Sequence, residues 1–308
     1  MEEWQQELKE SLSDPLEIAH RLDLDVEAIG PVAERYPMQL TPYLLEQMSD
    51  ASHPLWRQFV PDRQELEEDE LPLDPLAETE KSPVPAVVHR YPERVLLLAA
   101  NSCAAYCRFC TRKRRVGNRE EALSFGEVLD GINYIAGQPE VSEVILSGGD
   151  PLTMSDGLIR ELLDRLRKIR HVEIIRIATR MPAVLPARVT PQLASLLGRY
   201  HPLYLTTHFN HPAELTPEAA EACRLLADAG IPLANQTVLL RGVNDDMESL
   251  AALCRGLLKL RIRPYYLHQM DPVHGTGHFR VSLKQGLELA EGLRRRVSGL
   301  AVPHYIVD

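Results

Sequence analysis

The chain has 308 residues, 44% of them hydrophobic, which is enough for one large domain or for one large and one small domain. Its 44 acidic residues outnumber 34 basic ones, giving a formal net charge of -10 that excludes nucleic-acid binding through an overall basic surface. No run of about eighteen apolar residues offers a membrane span. The opening MEEWQQELKESL lacks a basic-then-apolar leader, so a cytoplasmic protein with reduced thiols is expected.

Residues 1–60 read as short packed helices, with amphipathic spacing over 3–12, 15–22 and 40–48. Residues 62–85, DRQELEEDELPLDPLAETEKSPVP, are acidic and proline-containing without an apolar period, and read as an extended connection. A boundary therefore falls near 85, between a helical N-terminal region, 1–85, and a core, 86–308. From there, short apolar runs at 95–100, 144–146, 173–177, 203–207, 232–240 and 264–267 predict strands. Helical patterns at 126–136, 157–169, 217–229 and 247–260 lie between them, with Ala229-Gly230 as a stop and Asp245-Asp246 as a start. A seventh apolar run covers 301–307.

This alternation predicts an α/β fold with a parallel sheet covered by helices. Six or seven units over about 220 residues fit a full or partial (β/α) barrel, with an open doubly wound sheet as the alternative. No glycine-rich dinucleotide fingerprint follows the first strand, which weighs against the open sheet. In a barrel, chemistry belongs at the C-terminal ends of the strands.

Five cysteines occur, and three of them, Cys103, Cys107 and Cys110, lie within eight residues directly after the first predicted strand. An odd, clustered set argues for metal rather than disulfides. The spacing C-x3-C-x2-C supplies three thiolates where a structural zinc site or a ferredoxin cluster needs four. A 4Fe-4S cluster held by three thiolates leaves one iron open to chelate the amino and carboxylate groups of S-adenosylmethionine (SAM), whose reductive cleavage releases a 5′-deoxyadenosyl radical. The competing readings are buried structural cysteines and a zinc site completed by a distant histidine. Cys223 and Cys254 fall on apolar helix faces and read as small core residues. At the end of the second predicted strand lies Ser147-Gly148-Gly149-Asp150-Pro151. Its glycines allow close backbone approach to a ligand, and its carbonyls, with Asp150 nearby, suit the ammonium of the SAM methionine.

Together these motifs resemble the radical SAM superfamily, and the chain from about 82 to 308 resembles lysine 2,3-aminomutase and its relatives. The resemblance is carried by His89-Arg-Tyr-Pro-Glu-Arg-Val-Leu-Leu-Leu, Cys107-Arg-Phe-Cys-Thr-Arg112, Thr207-His-Phe-Asn-His-Pro212, Asn235-Gln-Thr-Val-Leu-Leu-Arg-Gly-Val-Asn-Asp245, Arg263-Pro-Tyr-Tyr-Leu-His-Gln-Met-Asp271 and Gly277-His-Phe-Arg280. It implies a partial (β/α) barrel of the radical SAM type and an isomerase that moves the amino group of L-lysine from C2 to C3. The implied cofactors are a 4Fe-4S cluster, SAM and pyridoxal 5′-phosphate (PLP). It also implies a one-electron donor such as flavodoxin or ferredoxin, and a homo-oligomer.

By the same resemblance Arg112 pairs with the substrate carboxylate, and Asp271 and Asp308 meet its ε-ammonium. Arg90, Tyr91 and Arg94 surround PLP, and Ser147, Gly148, Gly149, Asp150, His208 and Gln236 lie on the SAM side, with Asn210 near them. In the family, the lysine that anchors PLP lies in a glycine-rich stretch beyond the position of Asp308, and no lysine here falls at a matching place. Three other outcomes stay open. One is the relative that makes β-lysine for elongation factor P, which His268 resembles. A glutamate aminomutase is disfavoured by the two carboxylates. The last is a family member that binds cluster and SAM without amine migration.

Overall fold

The computed structural model describes residues 2–48, 50–67 and 70–308; residues 1, 49, 68 and 69, which fall in or beside the predicted helical and acidic segments, lie outside the described residues. The N-terminal region forms five short helices: α1 (Glu3–Lys9), α2 (Pro15–Leu22), α3 (Val26–Arg35), α4 (Pro42–Gln47) and α5 (Pro54–Phe59). Their starts follow from the residue types there. Asp14, Asp25 and Thr41 accept hydrogen bonds from first-turn backbone N–H groups, and Pro15, Pro42 and Pro54 occupy first-turn positions where no N–H is needed.

The core then runs β1 (Val87–Tyr91), β2 (Arg94–Ala100), α6 (Phe125–Ala136), β3 (Glu143–Gly148), α7 (Asp156–Arg167), β4 (Ile174–Thr179), α8 (Met181–Val184), α9 (Pro191–Leu197), β5 (Leu203–Thr207), α10 (Pro217–Asp228), β6 (Leu233–Leu239), α11 (Met247–Lys259), β7 (Ile262–Gln269), α12 (Leu283–Arg296) and β8 (His304–Ile306). Strand order follows chain order, and every neighbouring pair from β2 to β8 is parallel. Among the described residues β8 does not pair with β1, so the barrel is partial. The predicted strands and helices are all present, with ends shifted by one or two residues in most and by up to three at 3–12 and 301–307.

β1 is additional. It pairs antiparallel with β2 through a tight turn at Pro92-Glu93 that sets Tyr91 opposite Arg94. Its sequence, VVHRY, buries only the two valines and turns its polar half outward, so no strand-like apolar run announces it.

One apolar core joins the two regions. Trp4, Ile18, Leu40, Leu55 and Phe59 belong to the same buried cluster as Val144, Ile177 and Leu205. Polar contacts reinforce it: Thr41 Oγ1 donates to the Val184 carbonyl at 2.7 Å, and the Arg188 guanidinium lies 4.3 Å from the centre of the Trp4 ring. No helix among the described residues is long and apolar enough to cross a membrane.

Candidate active site

The cysteine loop leaves the C-terminal end of β2 and is held from outside by the N-terminal region. The Gln39 amide donates to the carbonyls of Cys103 and Ala104 at 3.2 Å each, and the Gln39 carbonyl accepts from Tyr106 N–H. The Gln58 carbonyl accepts from Arg108 N–H at 2.8 Å. Beneath the loop, Glu65 is fully buried and takes two cations. Arg108 grips both its oxygens, at 2.7–3.2 Å, and Lys113 Nζ reaches Oε2 at 2.6 Å. Burial pushes the Glu65 carboxyl up, but Arg108 and Lys113 outweigh this and hold it below the usual range. Two further acids of the 62–85 segment repeat the pattern. Asp74 pairs with Arg114 at 2.8 Å, and Glu78 takes the Arg112 fork at 2.6–3.0 Å. The acidic segment is therefore laid against the basic run that closes the cysteine loop.

Burial drives the Cys103 thiol well above its ordinary value, with Asp150, Cys110 and Cys107 adding to the effect; Cys110 is pushed up to about 11, by burial and then by Cys107. Arg180, at the end of β4, donates through Nη1 to Cys107 Sγ at 2.7 Å.

The Ser147-Gly148-Gly149-Asp150 turn presses against this loop. Gly148 has φ +109°, and a Cβ on either glycine would stand 2.3 Å from a carbonyl oxygen, that of Ala100 or of Ser102. Only glycine permits the approach. The Asp150 carboxylate is already engaged, accepting from Thr179 Oγ1 at 2.7 and 2.8 Å, from Arg180 N–H at 2.7 Å and from Leu152 N–H at 3.0 Å. It ties the ends of β3 and β4 together. His208 is half-buried, its ring T-shaped to that of Phe109, and its buried Nε2 has no partner among the described residues.

Inside the barrel is a cavity of about 460 Å³, lined by Arg90, Tyr91, Arg94, Arg112, Ser147, Arg176, Gln236, His268 and Asp308, with Glu78 at its wall. The sequence-identified residues Arg90, Tyr91, Arg94, Arg112, Ser147, Gln236 and Asp308 thus meet in one space. Arg90 and Arg94 lie over the Tyr91 ring, 5.5 and 4.5 Å from its centre. Besides Glu78, Arg112 donates to Ser147 Oγ at 3.0 Å and to the Gly148 carbonyl at 3.2 Å, so its fork is engaged within the chain. A second cavity, of about 650 Å³, is lined by Asp271 and Asp308 with Arg241 and Arg280. Asp308 lines both. Burial, and then the charge of Asp308, raises the Asp271 carboxyl to about 6, against the opposing pull of Arg90.

Residues 97–254 match the Radical SAM superfamily. Across 99% of its length the chain is 46% identical to the L-lysine 2,3-aminomutase of Fusobacterium nucleatum, covering 73% of that protein. It is 46% identical to the enzyme of the same name from Clostridium subterminale over 92% of the chain and 68% of the relative. The chain belongs to the lysine 2,3-aminomutase family of radical SAM enzymes. Family members named so far are aminomutases, which are isomerases. Another relative is the glutamate 2,3-aminomutase of Clostridioides difficile, 40% identical over 92% of the chain and 67% of that protein. The fold itself is shared with a radical SAM methyltransferase from Sphaerobacter thermophilus, at a TM-score of 0.51 and 20% identity, over 72% of the chain and 68% of that structure.

Radical SAM membership implies a 4Fe-4S cluster and SAM. The donor set fits: three thiols share one loop, while among the described residues no three His, Cys, Asp or Glu converge to hold a single ion. Thiolates on separate irons of a cluster need no such convergence. The orphaned His208 Nε2 and the glycine cradle fit an added ligand beside it. Sequence reasoning misses Gln39, Gln58, Glu65, Glu78 and Arg180. The one available signal is the opposite sign of the 62–85 segment and the Arg108–Arg115 run.

Proposed function

We propose that this family member is a PLP-dependent L-lysine 2,3-aminomutase. The observation that carries the choice of lysine is that Asp271 and Asp308 line one cavity, where burial and then the charge of Asp308 raise Asp271. Asp271 is half-buried and Asp308 is exposed beside His268, at 3.6 Å; two carboxylates facing one cavity favour a cation between or beside them. The ε-ammonium of lysine meets that need. The side-chain carboxylate of glutamate would add a third negative charge.

When bound, the cluster and SAM supply a 5′-deoxyadenosyl radical, and PLP supplies a conjugated carrier for the migrating nitrogen. The chain's own residues supply positions. Cys103, Cys107 and Cys110, on the loop after β2, would hold the cluster. Gly148, Gly149, His208 and Gln236 border SAM. Arg90 and Arg94, stacked on Tyr91 at the β1–β2 hairpin, present two cations suited to a phosphate. Arg112 receives the amino-acid carboxylate after exchange with Glu78. Fixing both ends of the substrate is what aims its β-hydrogen, and misplacement loses rate steeply.

The test is binding and turnover with the full-length protein, reconstituted anaerobically and supplied with SAM, PLP and reductant. Lysine should be converted to β-lysine and glutamate left unchanged. Asp271→Asn should weaken lysine binding by at least tenfold. Equal turnover of glutamate, or unaltered lysine binding in both Asp271→Asn and Asp308→Asn, would overturn the assignment.

A further inference from the structure

Arg180 has no part in the reading above, yet its guanidinium is in hydrogen-bond contact with a cysteine sulfur. Its side chain is locked from several directions. Nη1 donates to Cys107 Sγ at 2.7 Å, and Nη2 donates to Gln58 Oε1 at 2.6 Å and to Glu214 Oε2 at 3.2 Å. The guanidinium lies 4.5 Å from the centre of the Phe59 ring and 5.4 Å from that of Phe109. Its backbone N–H is pinned by Asp150.

The balance of charge around it is uneven. Glu214 is the acid paired with it, at the longest of the three polar contacts. Glu214 also accepts from Gln58 Nε2, Asn210 N–H and His211 N–H at 2.9–3.0 Å, so its charge is shared. The shortest contacts of Arg180 go to a neutral amide and to the sulfur, whose thiol here stands for a cluster-bound thiolate.

We propose that Arg180 sets the reduction potential of the cluster, by donating a charged hydrogen bond to the Cys107 sulfur from a fixed, water-poor position. The inference rests on the cysteine loop holding a 4Fe-4S cluster. Hydrogen bonds to cluster sulfurs and nearby charge are established determinants of potential. Reduction adds one electron to the cluster and its thiolates. A cation at Cys107 stabilises that added charge, so the potential is higher with Arg180 than without it. The electron comes from a low-potential one-electron donor, and the adjustment brings the cluster within such a donor's reach.

The experiment is an EPR-monitored redox titration of anaerobically reconstituted wild type, Arg180→Gln and Arg180→Lys, with iron and sulfide measured on each. Arg180→Gln keeps a donor and removes the charge. It should shift the cluster's reduction equilibrium against reduction by ten- to a hundredfold, about 60–120 mV at about 59 mV per tenfold. Arg180→Lys keeps the charge without the planar fork and should fall between the two. A Gln variant with full iron and sulfide and a midpoint within a factor of two of wild type, about 18 mV on the same conversion, overturns the proposal. So does loss of the cluster from both variants when their circular dichroism matches wild type, because the residue then only builds the site. Failure of wild type to take up a cluster would overturn the reading of the cysteine loop, and this proposal with it.

Discussion

Replacing Glu65 with Gln keeps the shape of the side chain and removes one charge beneath the cysteine loop. Arg108 and Lys113 then share a buried space with no counter-charge, both having been paired to Glu65 at 2.6–2.7 Å. Breaking a buried ion pair on one side costs about 3–5 kcal/mol. An unfolding entropy of about 2.1 cal/mol/K per residue gives about 0.65 kcal/mol/K for 308 residues, so the thermal midpoint should fall by about 5–8 °C. Calorimetry or circular dichroism at neutral pH measures this. The cost is one of unpaired charge, so replacing Glu65, Arg108 and Lys113 together with Met should recover most of it. The pH dependence has a definite sign. The folded carboxyl of Glu65 lies below its ordinary value. The unfolded chain therefore binds more protons in the intervening window, and stability rises with pH there. Wild type should keep this contribution above the usual carboxylate range and lose it as pH falls through the folded value. The Gln variant should lack that limb. A Gln midpoint within about 1 °C of wild type, with the acid limb unchanged, would refute the reasoning.

Carboxyl-detected NMR should find Asp271 titrating near pH 6 in the ligand-free protein, and Asp308→Asn should move it down. Because the folded form binds the extra proton, this group makes stability fall as pH rises from the ordinary aspartate range toward 6. A spectrum with no aspartate titrating above about pH 5 would count against the pairing. Alanine at Cys103, Cys107 or Cys110 should abolish the iron–sulfur absorption of reconstituted protein, whereas alanine at buried Cys223 or Cys254 should leave it intact. Glu78→Gln leaves Arg112 without its carboxylate, so the variant should melt lower than wild type and regain more stability than wild type on adding lysine. Identical stabilisation of both proteins by lysine would separate Arg112 from the substrate carboxylate.

The parallel strands are legible because each is a short apolar run between helical patterns, and β3 and β4 fall within a residue or two of expectation at either end. The hairpin strand β1 is not, because half of VVHRY faces outward. Helix α3 carries Pro31 in its interior, and α12 carries Gly286 and Gly292, which blur the helical signal. At the site, residue types and spacing mark the cysteines and the glycine turn, since cluster ligation and close backbone approach each demand particular residues. Charge partners leave only the opposite signs of two segments, without saying which acid meets which base. Glu65 lies 43 positions from Arg108, and Glu78 lies 34 from Arg112. Only the fold brings the acidic segment across the loop. Arg180 gives no local pattern either, because its partners come from α5, the cysteine loop and the β5–α10 connection.

Strand β2 joins two places that chemistry must keep apart. Arg94 begins it at the cationic hairpin, and Ala100 ends it where the cysteine loop departs. Seven extended residues at about 3.3 Å each make this a fixed span of roughly 20 Å. Parallel pairing to β3 holds register from Arg94 to Leu98, with one extra residue taken up before Ala100, and one inserted residue within the regular stretch would turn every following side chain to the opposite face. The strand acts as a gauge block between the two ends of the lumen. A single insertion near Leu97, touching neither end, is therefore expected to misplace both the cysteine loop and the arginine hairpin.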